Sequence, residues 1–206
     1  MMTVEFTEWP KTTRLFRDMV VTEKIDGTNA AIRIEAMSKV NQGCLGTRPI
    51  ARVDGYGIWA QSRKRLIEPG SDNFGFARWV HDNAAELMPL LGEGIHFGEW
   101  WGSGIQRGYG LPKGEKRFSL FNTERHKDIE GFTDLVHRVP VLYEGVFSQQ
   151  AIEDALFDLR ENGSMASPGF MNPEGICIFH SQSRIVQKVT LDHNDAGKWE
   201  AEAQNA

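Results

Sequence analysis

The chain contains 206 residues, of which 40% are apolar and 25% are charged. This composition is typical of a folded globular protein and excludes a disordered or fibrous chain, and the length suits one sizeable domain. The net charge is −5, so the overall positive field of a tight nucleic-acid binder is absent. A polyanionic partner would have to use local basic clusters, of which the sequence offers 63–65 and a group of three residues, Lys113, Lys116 and Arg117.

Cysteine content and apolar runs bear on location. Cys44 and Cys177 are too few for a disulfide framework and lack metal-ligand spacing. The longest apolar runs are too short to span a bilayer, and the N-terminus lacks a secretory apolar segment. We therefore expect a cytoplasmic protein that does not associate with a membrane.

The first predicted elements are two strands, at 19–24 and 30–34, with a hairpin-like bend at 25–28 between them. From Asp72 onward, apolar residues recur at helical spacing. They predict one amphipathic helix that ends near Gly92 or Gly94.

The second half of the chain alternates short apolar runs with one further helix. Ser148 is a suitable N-cap for that helix, and Asn162-Gly163 closes it. A polar tail begins at Asp192 and extends to residue 206. The predicted strands are 95–99, 118–121, 139–143, 175–179 and 185–189. Because strands outnumber helices in a mixed order, the sequence predicts an α+β domain of antiparallel sheets flanked by helices.

The first segment with chemical potential is Lys24-Ile25-Asp26-Gly27. A lysine nucleophile must be neutral, and burial or a nearby cation lowers its pKa from about 10.4. Asp26 would point to the side of Lys24 if the strand continued, where it could hold a metal or its waters. The alternative is an exposed strand-end lysine before an ordinary Asp-Gly turn, and the four residues alone favour that alternative.

Other candidates lie on later strands. Glu99 and Glu174 each adjoin a glycine at an apolar strand, where metal or ribose contacts are often made, although a surface turn explains each as well. Lys188 interrupts an apolar strand and either reaches solvent or meets an anion.

Aromatic and basic residues give further candidates. Phe118 and Phe121 could stack on a base or belong to the core. Arg63 follows Ser62 in a polar loop, where a guanidinium binds phosphate or ribose oxygens or faces water. Zinc-protease, Walker-type and serine-hydrolase motifs are absent from the sequence.

In order, these segments resemble the motifs of the covalent nucleotidyltransferases, which include polynucleotide ligases and mRNA capping enzymes. The segment EKIDGTN is similar to motif I. Its Thr28-Asn29 extension resembles the form of this motif in the ATP-dependent RNA ligase branch, particularly in ligases that join double-stranded RNA. The six matching segments, for motifs I, Ia, III, IIIa, IV and V, are 23–29, 62–65, 97–100, 117–122, 173–176 and 187–189. The resemblance implies a single ATP-grasp-like nucleotidyltransferase domain over 1–206, with motifs between 23 and 189 and a polar tail at 192–206.

The resemblance also implies a role for each matched residue. Lys24 would attack the α-phosphate of ATP and hold AMP, and Lys188 would stabilise charge on that phosphate. Asp26, Glu99 and Glu174 would bind Mg²⁺ or Mn²⁺, largely through water, and the ion would depress the pKa of the lysine. The remaining nucleotide-binding residues would be Glu23, Ile25 and Asn29, with Arg63 and Glu99 on the ribose and 5′-phosphate end and Phe121, or else Phe118, on adenine.

The implied reaction joins a 3′-hydroxyl to a 5′-phosphate through lysyl-AMP and an adenylylated 5′ end, as in nick sealing or nucleic acid repair. The implied partner is a nicked duplex, with modest, salt-sensitive affinity and a protein that bridges the ends as a further partner. ATP is expected rather than NAD or GTP, because 23 residues before Lys24 and the short segment after Thr190 leave little room for an extra N-terminal domain or an OB-fold.

One departure keeps alternatives open. Motif V usually carries two lysines as K-x-K, whereas Lys188 has Val186 and Thr190 on either side. The alternatives are a DNA nick-sealing ligase, a GTP-using capping enzyme, or a nucleic-acid-binding module that kept the fold and lost catalysis.

Overall fold

The chain forms two mainly antiparallel sheets with helices packed on them. A computed structural model describes residues 5–40, 48–72, 74–129 and 135–192. Cys44 and the predicted tail after Asp192 lie outside these residues. Within them, no helix has the length and apolar character needed to cross a membrane.

The smaller sheet carries the first strand and the last two. Its order is β11-β10-β1-β9, with every pair antiparallel. These strands are β1 (Asp18–Lys24), β9 (Val141–Val146), β10 (Gly175–His180) and β11 (Ile185–Thr190). Helix α4 (Gln149–Asn162) covers one face, and its N-cap Ser148 accepts a hydrogen bond from Ala151 N at 3.2 Å. Alternate strand residues face the helix and form a core of Met19, Val21, Ile176 and Ile178 with Ala155 and Leu159.

The larger sheet has the order β3-β4-β2-β6-β7-β8, and β5 pairs with β4. Only β7 and β8 are parallel among the described pairs. Its strands are β2 (Thr28–Ala36), β3 (Ala51–Val53), β4 (Tyr56–Ser62), β5 (Leu66–Ile67), β6 (Gly94–Gly102), β7 (Lys116–Leu120) and β8 (His137–Arg138). One face packs on α2 (Phe76–Asp82) and α3 (Ala84–Leu91), and a short helix α1 (Met37–Val40) follows β2. The α+β class and the antiparallel sheets are as predicted.

Three sequence-based expectations were wrong. The bend at 25–28 is not a hairpin, because β1 pairs with β9 and β10 whereas β2 pairs with β4 and β6. The chain therefore crosses from one sheet to the other between Lys24 and Thr28. The single predicted helix is two helices that meet at Asn83, and strands β3 to β5 and β8 were not predicted.

The crossing has its own small core. Ile25 is buried with Trp101, Tyr109 and Val139, which fixes the backbone between the sheets. The remaining predicted strands and the helix after Ser148 occur within a few residues of their expected positions.

Candidate active site

Lys24 lies at the end of β1, where the chain leaves the smaller sheet. Its Nζ forms an ion pair with Glu174 Oε2, and the two side chains are 21% and 16% exposed. Glu174 directly precedes β10, and Lys24 faces Gly175 in the register of the two strands. The sheet therefore brings together two predicted residues that are 150 positions apart in the chain.

Glu99 lies in the middle of β6, and its side chain is 7% exposed. Its carboxylate accepts hydrogen bonds from Gly27 N at 3.1 Å and from Asn29 Nδ2 at 2.7 Å. Burial raises the pKa of Glu99 to about 7, against the lowering effect of Asn29 and of the Lys24 charge. Glu174 acts on the same carboxyl with a like charge. Glu99, Lys24 and Glu174 thus share one electrostatic environment.

Gly27 makes this arrangement sterically feasible. A Cβ at this position would lie 2.5 Å from Trp100 O and 2.8 Å from Trp101 Cβ. The absence of a side chain lets the crossing segment touch β6 and lets its amide reach Glu99.

Asp26 contacts a residue that the sequence analysis did not select. Arg107 Nε donates to Asp26 Oδ2 at 3.1 Å, and a second guanidinium nitrogen pairs with Asp192 Oδ2. The third nitrogen donates to Asn172 O at 3.2 Å and to Pro173 O at 3.3 Å. Arg107 therefore ties the segment after Lys24 to the segment before Glu174 and to the end of β11.

No pattern around Arg107 distinguishes it from other surface arginines in the sequence. The signal that could have found it is its neighbour Tyr109 in a glycine-rich turn, GSGIQRGYG. Tyr109 is fully buried, and its hydroxyl accepts from Asp26 N at 3.0 Å. Functional residues often lie on loops that a rigid scaffold positions, so a glycine-rich turn with one tyrosine is a feature that could have drawn attention to this segment.

Glu23 is buried at 1% exposure and faces away from Lys24, because adjacent strand residues point to opposite faces. It accepts hydrogen bonds from Ser164 Oγ at 2.5 Å, Met165 N at 2.8 Å and Ala166 N at 2.9 Å. Burial raises its pKa, and these hydrogen bonds act in the opposite direction. Its visible role is to hold the 164–166 loop beneath the sheet. The predicted Ile25 contact would have to use backbone atoms, because that side chain is in the core.

The other predicted residues are more open to solvent. Lys188 is exposed and faces Cys177 across β10 and β11, on the sheet face that also carries Lys24. Arg63 is exposed directly after β4. Phe121 follows β7 and is 44% exposed, whereas Phe118 is fully buried in the core. Of the two aromatic candidates, only Phe121 has a face available for a base.

These groups suit nucleotide chemistry. A carboxylate pair, Glu99 and Glu174, flanks a lysine amine, and oxygen donors of this kind are preferred by Mg²⁺ and Mn²⁺. In the described part of the chain, no three His, Cys, Asp or Glu side chains group as ligands of one ion. Mg²⁺ is usually bound by one or two protein carboxylates, and water and phosphate oxygens complete its coordination. Glu99 and Glu174 are compatible with this arrangement.

Comparison with known proteins defines the family. The RNA ligase family profile matches residues 17–194, which include Lys24, Glu99, Glu174 and Lys188. The chain therefore belongs to the RNA ligase family, as the motif resemblance indicated. None of the curated protein sequences matches it.

Solved structures of an RNA ligase from Naegleria gruberi share the fold. A mutant with ATP and Mn aligns with a TM-score of 0.57 and 18% identity, over 88% of this chain and 53% of that one. A mutant with AMP and Mn aligns with a TM-score of 0.55 and 18% identity, over 85% and 50% of the two chains. This chain thus spans about half the length of the solved ligases.

Proposed function

We propose that the protein is an ATP-dependent polynucleotide ligase that joins a 3′-hydroxyl to a 5′-phosphate on RNA through a lysyl-AMP intermediate. The observation that carries the proposal is the Lys24–Glu174 ion pair beside the buried Glu99, inside the region matched by the family. The ATP- or AMP-containing Naegleria structures, which also contain Mn, support the choice of nucleotide and metal.

In the first step, a neutral Lys24 amine attacks the α-phosphorus of ATP. A nitrogen–phosphorus bond forms, the bond to the bridging oxygen breaks, and pyrophosphate leaves. The amine is paired with Glu174, so it must give up its proton and part from that carboxylate before it attacks. Mg²⁺ or Mn²⁺ held by Glu99 and Glu174, largely through water, would offset phosphate charge and help to depress the lysine pKa.

The other residues position the nucleotide in this proposal. Lys188 is an exposed cation on the sheet face of Lys24 and would contact the α-phosphate. Phe121 would stack on adenine, and Arg63 would bind the ribose or the incoming 5′-phosphate. Asp26 is already bound by Arg107, so its contribution would be to orient the segment around Lys24 rather than to bind metal directly.

In the later steps, AMP passes from Lys24 to a 5′-phosphate, and a 3′-hydroxyl then displaces it to seal the strand. We propose a nicked duplex as the substrate, with a protein that bridges the ends as a further partner, in a cytoplasmic setting. The single motif V lysine and the net charge of −5 favour a second candidate, a binding module of the same fold without catalysis.

Incubation with α-labelled ATP and Mg²⁺ or Mn²⁺, followed by denaturing electrophoresis, tests the proposal. A labelled band at the mass of the chain is expected, and Lys24→Ala should abolish it. Lys127→Ala, which removes an exposed lysine on another part of the surface, should retain it. Prior treatment with pyrophosphate would remove AMP already attached during expression.

Labelled GTP and nicked duplexes with RNA or DNA at the 3′-hydroxyl side complete the experiment. Label from GTP alone would indicate a capping-type reaction, and sealing of DNA nicks in preference to RNA would indicate a DNA ligase. Duplex binding without any label, after pyrophosphate treatment, would support the binding module and refute the ligase.

A further inference from the structure

A groove of about 310 Å³ lies on the helix-covered side of the larger sheet, outside the site described above. Aromatic side chains and two cations form much of its wall. Its principal lining residues are Phe74, Trp79 and Trp100 with Arg78 and Lys116, and Gly75, Asp82, Asn83 and Gly114 complete it.

The groove is at the same end of the sheet as the lysine site. Trp100 follows Glu99 on β6, and the two side chains point to opposite faces of that strand. Trp100 also faces Thr28, the first residue of β2 after the crossing from Lys24. Lys116 faces Gly102 at the start of β7. The groove therefore lies across the sheet from Glu99, beside the start of β2 that leads back to Lys24.

The cations of the groove are not neutralised by the part of the chain that the structure describes. Arg78 and Lys116 form no ion pair with any described residue, whereas the nearby Arg117 pairs with Glu115. The wall also contains one acidic residue, Asp82, which contacts His81 Nδ1 at 2.8 Å, so two cations face one carboxylate among its described residues. In a chain with a net charge of −5, two such cations beside aromatic rings favour a polyanion that carries flat, apolar rings.

The aromatic wall is rigid on one side and open on the other. Trp79 packs on Phe76 and Trp100, with ring centroids 5.8 and 5.0 Å apart. Phe74 is 40% exposed and has a left-handed backbone, with φ of 67°. Its carbonyl accepts a hydrogen bond from Trp100 Nε1 at 3.2 Å, which anchors this unusual conformation. The packing thus presents an exposed ring at the mouth of the groove.

We propose that this groove binds an RNA strand adjacent to the end that is joined, with phosphates at Arg78 and Lys116 and a base stacked on Phe74. The choice of RNA rests on the proposed ligase function. The groove contributes affinity and position for the polymer and takes no part in the transfer of AMP to Lys24.

The test measures binding of a fluorescent 5′-phosphorylated RNA by anisotropy, at several salt concentrations. Arg78→Ala/Lys116→Ala should lower affinity about tenfold at low salt, and the slope of log K against log salt should decrease by about 1.4, for two phosphate contacts. Phe74→Ala should lower affinity about tenfold for RNA but leave binding of inorganic polyphosphate unchanged.

The matched control is Lys127→Ala/Arg160→Ala, which also removes two positive charges, from exposed positions outside the groove. Equal affinities for the groove variant and this control, or no RNA binding by the wild-type chain, would overturn the inference. Labelling with ATP requires no RNA, so the groove variant should label like the wild type. Absence of labelling in the wild type would refute the ligase proposal. The binding comparison would still show whether the groove binds RNA.

Discussion

Arg107 and Asp26 form an ion pair, with 3.1 Å between Nε and Oδ2, in the segment through which the chain crosses between its two sheets. The same guanidinium contacts backbone oxygens of residues 172 and 173, directly before Glu174. One side chain therefore holds the segment after Lys24 and the segment before Glu174 in a fixed relation. It thereby supports the position of Lys24 beside Glu174, which the pairing of β1 with β10 establishes.

We expect Arg107→Ala to reduce the rate of lysine adenylylation by about 10- to 100-fold, because small displacements of a nucleophile have effects of this size. Arg107→Lys keeps one charge but not the forked geometry and should recover only part of the rate. Single-turnover labelling with ATP measures the effect.

A double-mutant cycle with Asp26→Asn distinguishes positioning from general stability. If the two residues act together, the double variant should be little slower than the slower single variant. Strictly additive losses in log rate would show that Arg107 acts independently of Asp26. Melting temperatures of all variants supply the control for folding.

Glu99 should make stability and activity depend on pH near neutrality. Burial raises its pKa to about 7, above the ordinary 4.5, so the folded state favours the protonated form. Its contribution to stability is therefore lost as pH rises, by about 2 kcal/mol between pH 5 and pH 8. The free energy of unfolding, measured with urea across this range, should decrease as pH rises. The decrease should be smaller in Glu99→Gln than in the wild type.

Adenylylation should change in the opposite direction. The ionised carboxylate is the form that would bind metal, so the labelling rate should rise through pH 7. The measurement is the metal concentration needed for half-maximal labelling, at saturating ATP, because metal must displace the proton of Glu99. That concentration should fall as pH rises from 6 to 8 in the wild type, and an equal fall in Glu99→Gln would contradict this use of Glu99.

Much of the fold could be predicted because local patterns determine it. Ser148 and Gly163 delimit helix α4 as expected, since an N-cap hydroxyl and a closing glycine act within one turn. The bend after Lys24 was wrongly predicted as a hairpin. Two strands joined by a short Asp-Gly segment can pair with each other or belong to different sheets, and the local sequence does not distinguish these cases. Pairing with β10 depends on residues about 150 positions away, which local spacing does not report.

The site shows the same limit. Lys24, Glu99 and Glu174 were found through the order of short motifs, and the structure places them together. Arg107 was missed because its importance comes from separate segments that meet at one guanidinium, and none is close to it in sequence. The role of Phe118 was left open by strand spacing, and burial resolved it in favour of the core.

The buried pair His96 and His126 should make the fold sensitive to acid. Burial lowers the pKa of His96 to about 4, below its ordinary 6.5, and His96 Nδ1 lies 3.5 Å from His126 Nε2. Burial lowers the pKa of His126 as well. Burial therefore disfavours the protonated form of both rings in the folded state, so protonation favours unfolding. Stability should fall as pH decreases from about 6.5 toward 4, by about 2 kcal/mol between pH 7.5 and pH 5.

Urea unfolding of His96→Gln should show a weaker pH dependence in that range than the wild type. His81→Gln is the matched control, because His81 is exposed at the end of α2 and should leave the acid sensitivity unchanged. If the free energy of unfolding depends equally on pH in the wild type and His96→Gln, the acid sensitivity arises from other groups.

The strand register indicates where a second motif V lysine could be introduced to test the effect of its absence. Thr190 faces Gly175, which in turn faces Lys24, so these three residues form one row across the sheet. Val186 faces Phe179, and this row is four residues further along β11. Both positions share the sheet face of Lys188, because they differ from it by two residues. Of these two positions, only 190 would therefore place a lysine in the row of the nucleophile.

We expect Thr190→Lys to lower the KM for ATP or raise the labelling rate several-fold, since a second cation beside Lys24 attracts phosphate and favours the neutral amine. Val186→Lys adds the same charge to the same face but in the distant row, and it should leave both quantities near the wild-type values. Equal gains from the two substitutions would indicate a general charge effect. A gain from Val186→Lys alone would place the phosphates toward the far end of β11, away from the row of Lys24, and would require a different position for the nucleotide.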